Sequence, residues 1–244
     1  MSALSQVWWV QYLLLFWLSL DVLLAIQVSG PPGGVDPKTG ARPFRYEISD
    51  FQHSGAAFDL YILAMSDFQG VNQSDPLSYF QISGIHGFPQ VAWDGVSGAG
   101  TYPGFCMHAA TPFATWHRPY LALFEVALCS KPASRSWAPA NSRQQVLWTH
   151  AQGIAEAYPD DQRPRYRAAA LALRIPYWDW AIHPELPDVV TEPLVTVNTP
   201  VGTRTIENPL YQYVFQSDAA GNGFPSTDPV GLFSTSPRKR LNLL

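Results

Sequence analysis

Residues 104–128 read Gly-Phe-Cys-Met-His-Ala-Ala-Thr-Pro-Phe-Ala-Thr-Trp-His-Arg-Pro-Tyr-Leu-Ala-Leu-Phe-Glu-Val-Ala-Leu, and they gather two of the chain's six histidines and one of its two cysteines. Neutral imidazoles are the commonest protein metal ligands. Such a density therefore points to a metal site. Tyr120, Leu123, Phe124, Ala127 and Leu128 recur at the spacing of one apolar helix stripe. Pro119 suits the first turn of that helix, where a missing N–H costs nothing. On this reading His117 lies at or just before the helix start and His108 on the irregular segment leading into it. A packed helix and its entry loop would then aim two rings at one point.

Other elements must frame that pair. Ser49 and Asp50 read as the N-cap of a helix whose face is traced by Phe58, Tyr61, Ile62, Met65 and Phe68, and Gly70 ends it. Asp75-Pro76 reads as the cap of a second helix carrying Leu77, Phe80 and Gln81, closed by Gly84, with His86 just past its end. After the turn-like stretch containing Lys131-Pro132 and Pro139, a helix runs from Ser142 to about Ala157. Another, opened by Asp160 or Asp161, runs to about Leu173. These two are expected to pack on the helix after His117 as an antiparallel wall. Residues 194–197 and 203–206, separated by Asn-Thr-Pro-Val-Gly, predict a small β-hairpin. The fold class expected is mainly α, with no internal repeat.

Composition sets the outer bounds. With 244 residues and 22 prolines, the chain holds only 14% charged residues, against about 25% charged and about 5% proline in an average soluble protein. Nine Trp, eleven Tyr and thirteen Phe add a large aromatic load. A single loop-rich domain with a tightly packed interior is expected. The net charge of −4 gives no electrostatic reason to expect a nucleic-acid partner. Residues 1–30 open with an apolar run at 7–20 and read as a secretion signal, with small residues Ser29 and Gly30 near its end. The first basic residue is Lys38, so a membrane anchor or a buried core helix stays open as an alternative, although Asp21 would be costly in hydrocarbon. Residues 31–46 form a linker or arm, 47–216 the domain, and 217–244 a Gly, Ser, Asp and Pro-rich tail of low information. Asn72-Gln73-Ser74 matches the glycosylation acceptor pattern, in keeping with secretion.

Four segments resemble one family. Cys106-x-His108 followed by Thr-Trp-His-Arg-x-Tyr at 115–120, with Glu125 beyond, is similar to the first-copper half of the fungal tyrosinase family of type-3 copper proteins. Residues 78–89 (Ser-Tyr-Phe-Gln-Ile-Ser-Gly-Ile-His-Gly-Phe-Pro), 174–181 (Arg-Ile-Pro-Tyr-Trp-Asp-Trp-Ala) and 207–213 (Glu-Asn-Pro-Leu-Tyr-Gln-Tyr) agree with it in order. The resemblance spans roughly residues 45–216. It implies a tyrosinase-like helical bundle built around two coppers, here its first-copper half, with His86, His108 and His117 as ligands of one copper. Three neutral histidines leave positions open for dioxygen. It further implies that Cys106 is joined by a thioether to the ring of His108; a disulfide with Cys129 is the alternative. Asp179 could accept an N–H from a ligand imidazole or pair with Arg118 or Arg174, and Asp179 and Arg118 are the candidate partners around the ligands. A buried structural ion pair is the plainer role for Asp179. His53, His150 and His183 match no ligand position, while Trp116, Tyr120, Trp178 and Trp180 are expected to pack the core.

The implied activity is oxidation of monophenols and o-diphenols to o-quinones with O₂, feeding melanin-type pigment, in the secretory pathway or outside the cell. A catechol oxidase is the rival within enzymes. The family's second copper needs three further histidines, and none follows His183. One copper rather than two is therefore expected for this chain, which reads as a truncated or alternatively spliced form. A non-catalytic copper-binding fragment or pseudoenzyme is the reading of a different class.

Overall fold

The computed structural model describes residues 34–87, 91–93, 110–127, 146–216 and 240–242. Two helical segments open it: α1 (Ile48–Phe51) is a single turn and α2 (Ala56–Gln69) is the centre of the bundle. The sequence pattern reads as one helix from Ser49 to Gly70, and the structure has two. Glu47 accepts the N–H of Ser49 at 2.7 Å and so caps α1, while Gly55, at a φ of 65°, breaks the path before α2 begins. Only glycine takes that backbone conformation without penalty. α2 ends at Gly70 as expected. It buries Phe58, Leu60, Tyr61, Ile62, Ala64, Met65 and Phe68, more than one stripe's worth, which marks a helix covered on several sides.

α3 (Tyr79–His86) and α4 (Phe113–Ala127) pack against each other, and α5 (Val146–Glu156) packs on α4 and α2. α6 (Arg163–Ala172) lies against α5 and α2. The expected wall against α4 is thus made by α5, and α6 is turned toward the central helix instead. Asp59 explains why. Its carboxylate accepts the Tyr166 hydroxyl of α6 at 2.7 Å and the Asn198 N–H at 3.0 Å. One residue of α2 thereby fixes both α6 and the hairpin.

That hairpin pairs β1 (Leu194–Thr199) with β2 (Gly202–Glu207), in antiparallel register from Leu194 opposite Glu207 to Thr199 opposite Gly202. The loop is tighter than expected, with Pro200 and Val201 alone between the strands and Gly202 at a φ of 105°. A last single-turn helix, α7 (Asp188–Thr191), precedes it, and Asn208 ties the two by donating to the carbonyls of Val189 and Glu192. β3 (Gln212–Val214) pairs antiparallel with β4 (Arg240–Asn242). Residues 240–242, near the end of the Gly, Ser, Asp and Pro-rich stretch, are therefore strand. The rings of Phe68, Tyr79, Phe124 and Tyr213 meet at the centre, mostly edge to face, and join α2, α3, α4 and β3. Among the described residues no helix is long and apolar enough to cross a membrane, and residues 1–30 lie outside them.

Candidate metal centre

Ser78 starts the element that carries the first histidine. Its hydroxyl accepts the Gln81 N–H at 3.1 Å and caps α3, while Asp75 accepts from Leu77 in the turn before it. The helix runs through the buried Gly84 and ends at Gly87, so His86 occupies its last position rather than the loop beyond. α4 likewise starts earlier than the sequence suggests. Phe113 and Trp116 bond back to Ala110 and Pro112, which places His117 in the second turn and Pro119 inside the helix. Pro119 deprives the Thr115 carbonyl of its usual donor, but both residues are exposed, and water can serve that carbonyl.

The two rings meet. His86 Nε2 and His117 Nε2 stand 3.2 Å apart. On its other side His117 Nδ1 lies 2.6 Å from the Phe113 carbonyl. A carbonyl only accepts, so Nδ1 carries the hydrogen and Nε2 of the neutral ring presents a lone pair toward His86. Two imidazole nitrogens bound to one ion at about 2.0–2.1 Å, with an angle between about 90° and 110°, lie about 2.8–3.4 Å apart. The observed separation falls inside that interval, and the tautomer is the one a metal requires. The same distance suits a hydrogen bond from His86 Nε2–H to the His117 lone pair.

Aromatic rings hold this geometry. Tyr120 stacks on His86 with centroids 5.2 Å apart and planes 20° from parallel, and Trp116 stacks on Tyr120 at 5.4 Å and 16°. Phe113 lies 4.3 Å from the His117 ring. Phe113, His117 and Leu121 follow at intervals of four along α4, one helical face. Phe113 and Leu121 are about half exposed, so this face opens to solvent on both sides of His117.

Eight residues after His117, Glu125 anchors α4 from below. It is 2% exposed. Its carboxylate accepts from Arg174 Nε at 2.8 Å and Nη2 at 3.2 Å, from Arg45 Nη2 at 3.0 Å, and from the Ile175 N–H at 3.1 Å. Burial pushes the Arg45 guanidinium below its ordinary value, and Glu125 pulls in the opposite direction. The network welds the site helix to two extended segments that run side by side, where Tyr177 donates to the Tyr46 carbonyl and Ile48 to that of Tyr177.

The remaining expected site residues divide clearly. His108 and Cys106 lie outside the described residues, as does Cys129. Asp179 and Arg118 make no hydrogen bond or ion pair to His86 or His117 among the described residues. Arg174 gives its guanidinium to Glu125 rather than to Asp179. Among the described residues no third histidine, cysteine or carboxylate joins the pair. His53 and His183 are exposed, whereas His150 is 3% exposed and its Nδ1 is 3.6 Å from an Asp67 oxygen. Tyr120 packs inside as expected, but Trp178 and Trp180 are exposed, Trp180 by 72%.

Residues 76–241 match the family model described as the common central domain of tyrosinase. The chain belongs to the tyrosinase family. Among its relatives, a tyrosinase of Neurospora crassa is 34% identical over 86% of this chain and a tyrosinase of Podospora anserina 36% identical over 78%. The match covers 31% and 32% of those proteins, so the chain spans about a third of the length of these curated relatives. A solved mushroom tyrosinase superposes with a TM-score of 0.63 at 33% identity, over 83% of this chain and 47% of that one. An oxygen-bound mutant of Aspergillus oryzae pro-tyrosinase does so with a TM-score of 0.60 at 30% identity, over 78% of this chain and 32% of that one. The mainly helical architecture is thus shared with solved tyrosinases.

Proposed function

We propose that His86, His108 and His117 hold one copper ion, and that the protein to which this segment corresponds oxidises phenols with O₂. The observation that carries the reading is the convergence of His86 and His117 at 3.2 Å, with the His117 tautomer fixed by the Phe113 carbonyl. Copper, when bound, supplies one-electron redox chemistry toward dioxygen. The chain's own residues supply orientation. Phe113 holds one ring by hydrogen bond and Tyr120 holds the other by stacking, and Glu125 keeps their helix seated. A thioether from Cys106 to His108 would immobilise the third ligand in the same sense.

The substrate class inferred from the family is monophenols and o-diphenols, with o-quinones as products and melanin-type pigment downstream. Secretion is the compartment consistent with the apolar leader at residues 7–20. For this segment alone a second reading has its own support, because His86, His108 and His117 make up a single three-histidine set. It is a mononuclear copper-binding segment without turnover. One three-histidine set would hold one copper, which would supply one electron toward dioxygen, so a two-electron reduction would call for a second electron source.

Electron paramagnetic resonance tests both statements. The copper-loaded chain is expected to show the signal of an isolated Cu(II), lost in the His86→Ala/His108→Ala/His117→Ala variant, with no monophenol hydroxylation at any protein concentration. A copper-replete sample that is silent and hydroxylates a monophenol would overturn the mononuclear reading. Unchanged copper affinity in the triple variant would overturn the site.

A further inference from the structure

Asn72-Gln73-Ser74 is the single Asn-x-Ser/Thr stretch in the chain whose middle residue is not proline and which is therefore a possible N-glycan acceptor. It lies in the turn between α2 and α3, and the three residues divide by direction. Gln73 points inward and is 7% exposed. It donates from Nε2 to the Tyr213 hydroxyl at 2.7 Å and from its N–H to Gln216 Oε1 at 3.1 Å, and its carbonyl accepts from Gln81 at 2.8 Å. Asn72 and Ser74, on either side, are exposed. The Asn72 Oδ1 takes both the N–H and the hydroxyl of Ser74, at 2.8 and 2.7 Å, and Nδ2 of this exposed residue has no acceptor among the described residues.

We infer that Asn72 is a carbohydrate attachment site, modified on Nδ2 when the chain enters a compartment holding a lipid-linked oligosaccharide donor and its transferase. In the transfer, Nδ2 forms a bond to the anomeric carbon of the first sugar, the bond from that carbon to the lipid pyrophosphate breaks, and the amide proton goes to a transferase base. No electrons change hands. The folded structure accommodates the product because the glycan leaves from the outer side of a turn whose inner side is pinned through Gln73. A bulky polar group at Gln73, by contrast, would displace Tyr213 from the central ring cluster.

The test is translation of the full chain with eukaryotic microsomes, followed by protease protection and peptide N-glycosidase digestion. A protected species is expected to carry one glycan, to lose it on digestion, and to show aspartate in place of Asn72 afterwards. N72Q and S74A should abolish the shift, while S74T should retain it. Because the chain has one acceptor stretch, a glycan that survives N72Q refutes the assignment. A protected chain without glycan refutes it too, and so does a chain that fails to enter the microsomes, since the site would then never meet the donor.

Discussion

Glu125→Ala should be among the most damaging single substitutions outside the histidines. The change removes a 2%-exposed carboxylate and leaves two guanidinium groups without their counter-charge and the Ile175 N–H without its acceptor. Breaking a buried ion pair by deleting one partner costs about 3–5 kcal/mol. Arg45 and Arg174 retain some solvent access, with side chains 29% and 17% exposed, which places the expectation near the lower end, at about 3 kcal/mol. For a chain of this size, about 2–4 °C of melting temperature accompany each kcal/mol. The midpoint should therefore fall by about 6–12 °C in a thermal melt followed by far-ultraviolet circular dichroism. The double variant Glu125→Ala/Arg174→Ala should be less damaged than the two single costs added together, because the second truncation removes one of the stranded charges. A drop under about 2 °C for Glu125→Ala, or strict additivity in the cycle, would refute the claim that this carboxylate anchors α4.

Two further outcomes follow from other parts of the fold. Asp59→Ala should destabilise the chain by about 2 kcal/mol, read from urea midpoints, because it strands the Tyr166 hydroxyl and the Asn198 N–H together; a change within about 0.5 kcal/mol would contradict the hub role. Alkaline stability should decline between pH 10 and about 12, since burial raises Tyr79 and Tyr213 from the ordinary 10.0 to about 12. The folded state keeps those protons longer than the unfolded chain, so their contribution is intact below 10 and lost as pH climbs through the higher value. Phenolate absorbance that rises fully at pH 10 with the fold intact would exclude buried tyrosines as the cause.

Helix existence was legible in the sequence wherever apolar periodicity was strong, and helix starts were not. The face of Phe58, Tyr61, Ile62, Met65 and Phe68 gave α2 and its stop at Gly70. The start went wrong because Ser49-Asp50 has the chemistry of a cap, yet the cap of that first turn is Glu47, and Gly55 restarts the chain. Asp75 misled in the same way. It closes a turn by accepting from Leu77, and the cap proper is Ser78. Side-chain oxygens in turns and caps make the same local bonds, so composition alone does not separate them. The exposure of Trp178 and Trp180 was equally hidden, because aromatic residues announce burial by type while only the path of the chain decides it.

The candidate site shows the same division between what is local and what is not. His86 and His117 were identified from the family motif, but the hydrogen bond that sets the tautomer of His117 depends on α4 beginning at Phe113, four residues earlier. A helix with Pro119 in its first turn has no such bond. Had the helix begun there, His117 would have had no i−4 carbonyl to receive its Nδ1 hydrogen, and its free nitrogen would have been undefined. The partners of Glu125 were out of reach for a different reason, since Arg45 and Arg174 are 80 and 49 positions away, beyond any helical or strand period. A buried carboxylate on a helix that also carries a ligand demands cations from somewhere, and Arg174 was the nearer candidate, but Asp179 offered it a closer partner in sequence. Burial decides between the two carboxylates. Glu125 has almost no water to satisfy it and takes both guanidiniums, while Asp179 keeps enough solvent contact to do without one.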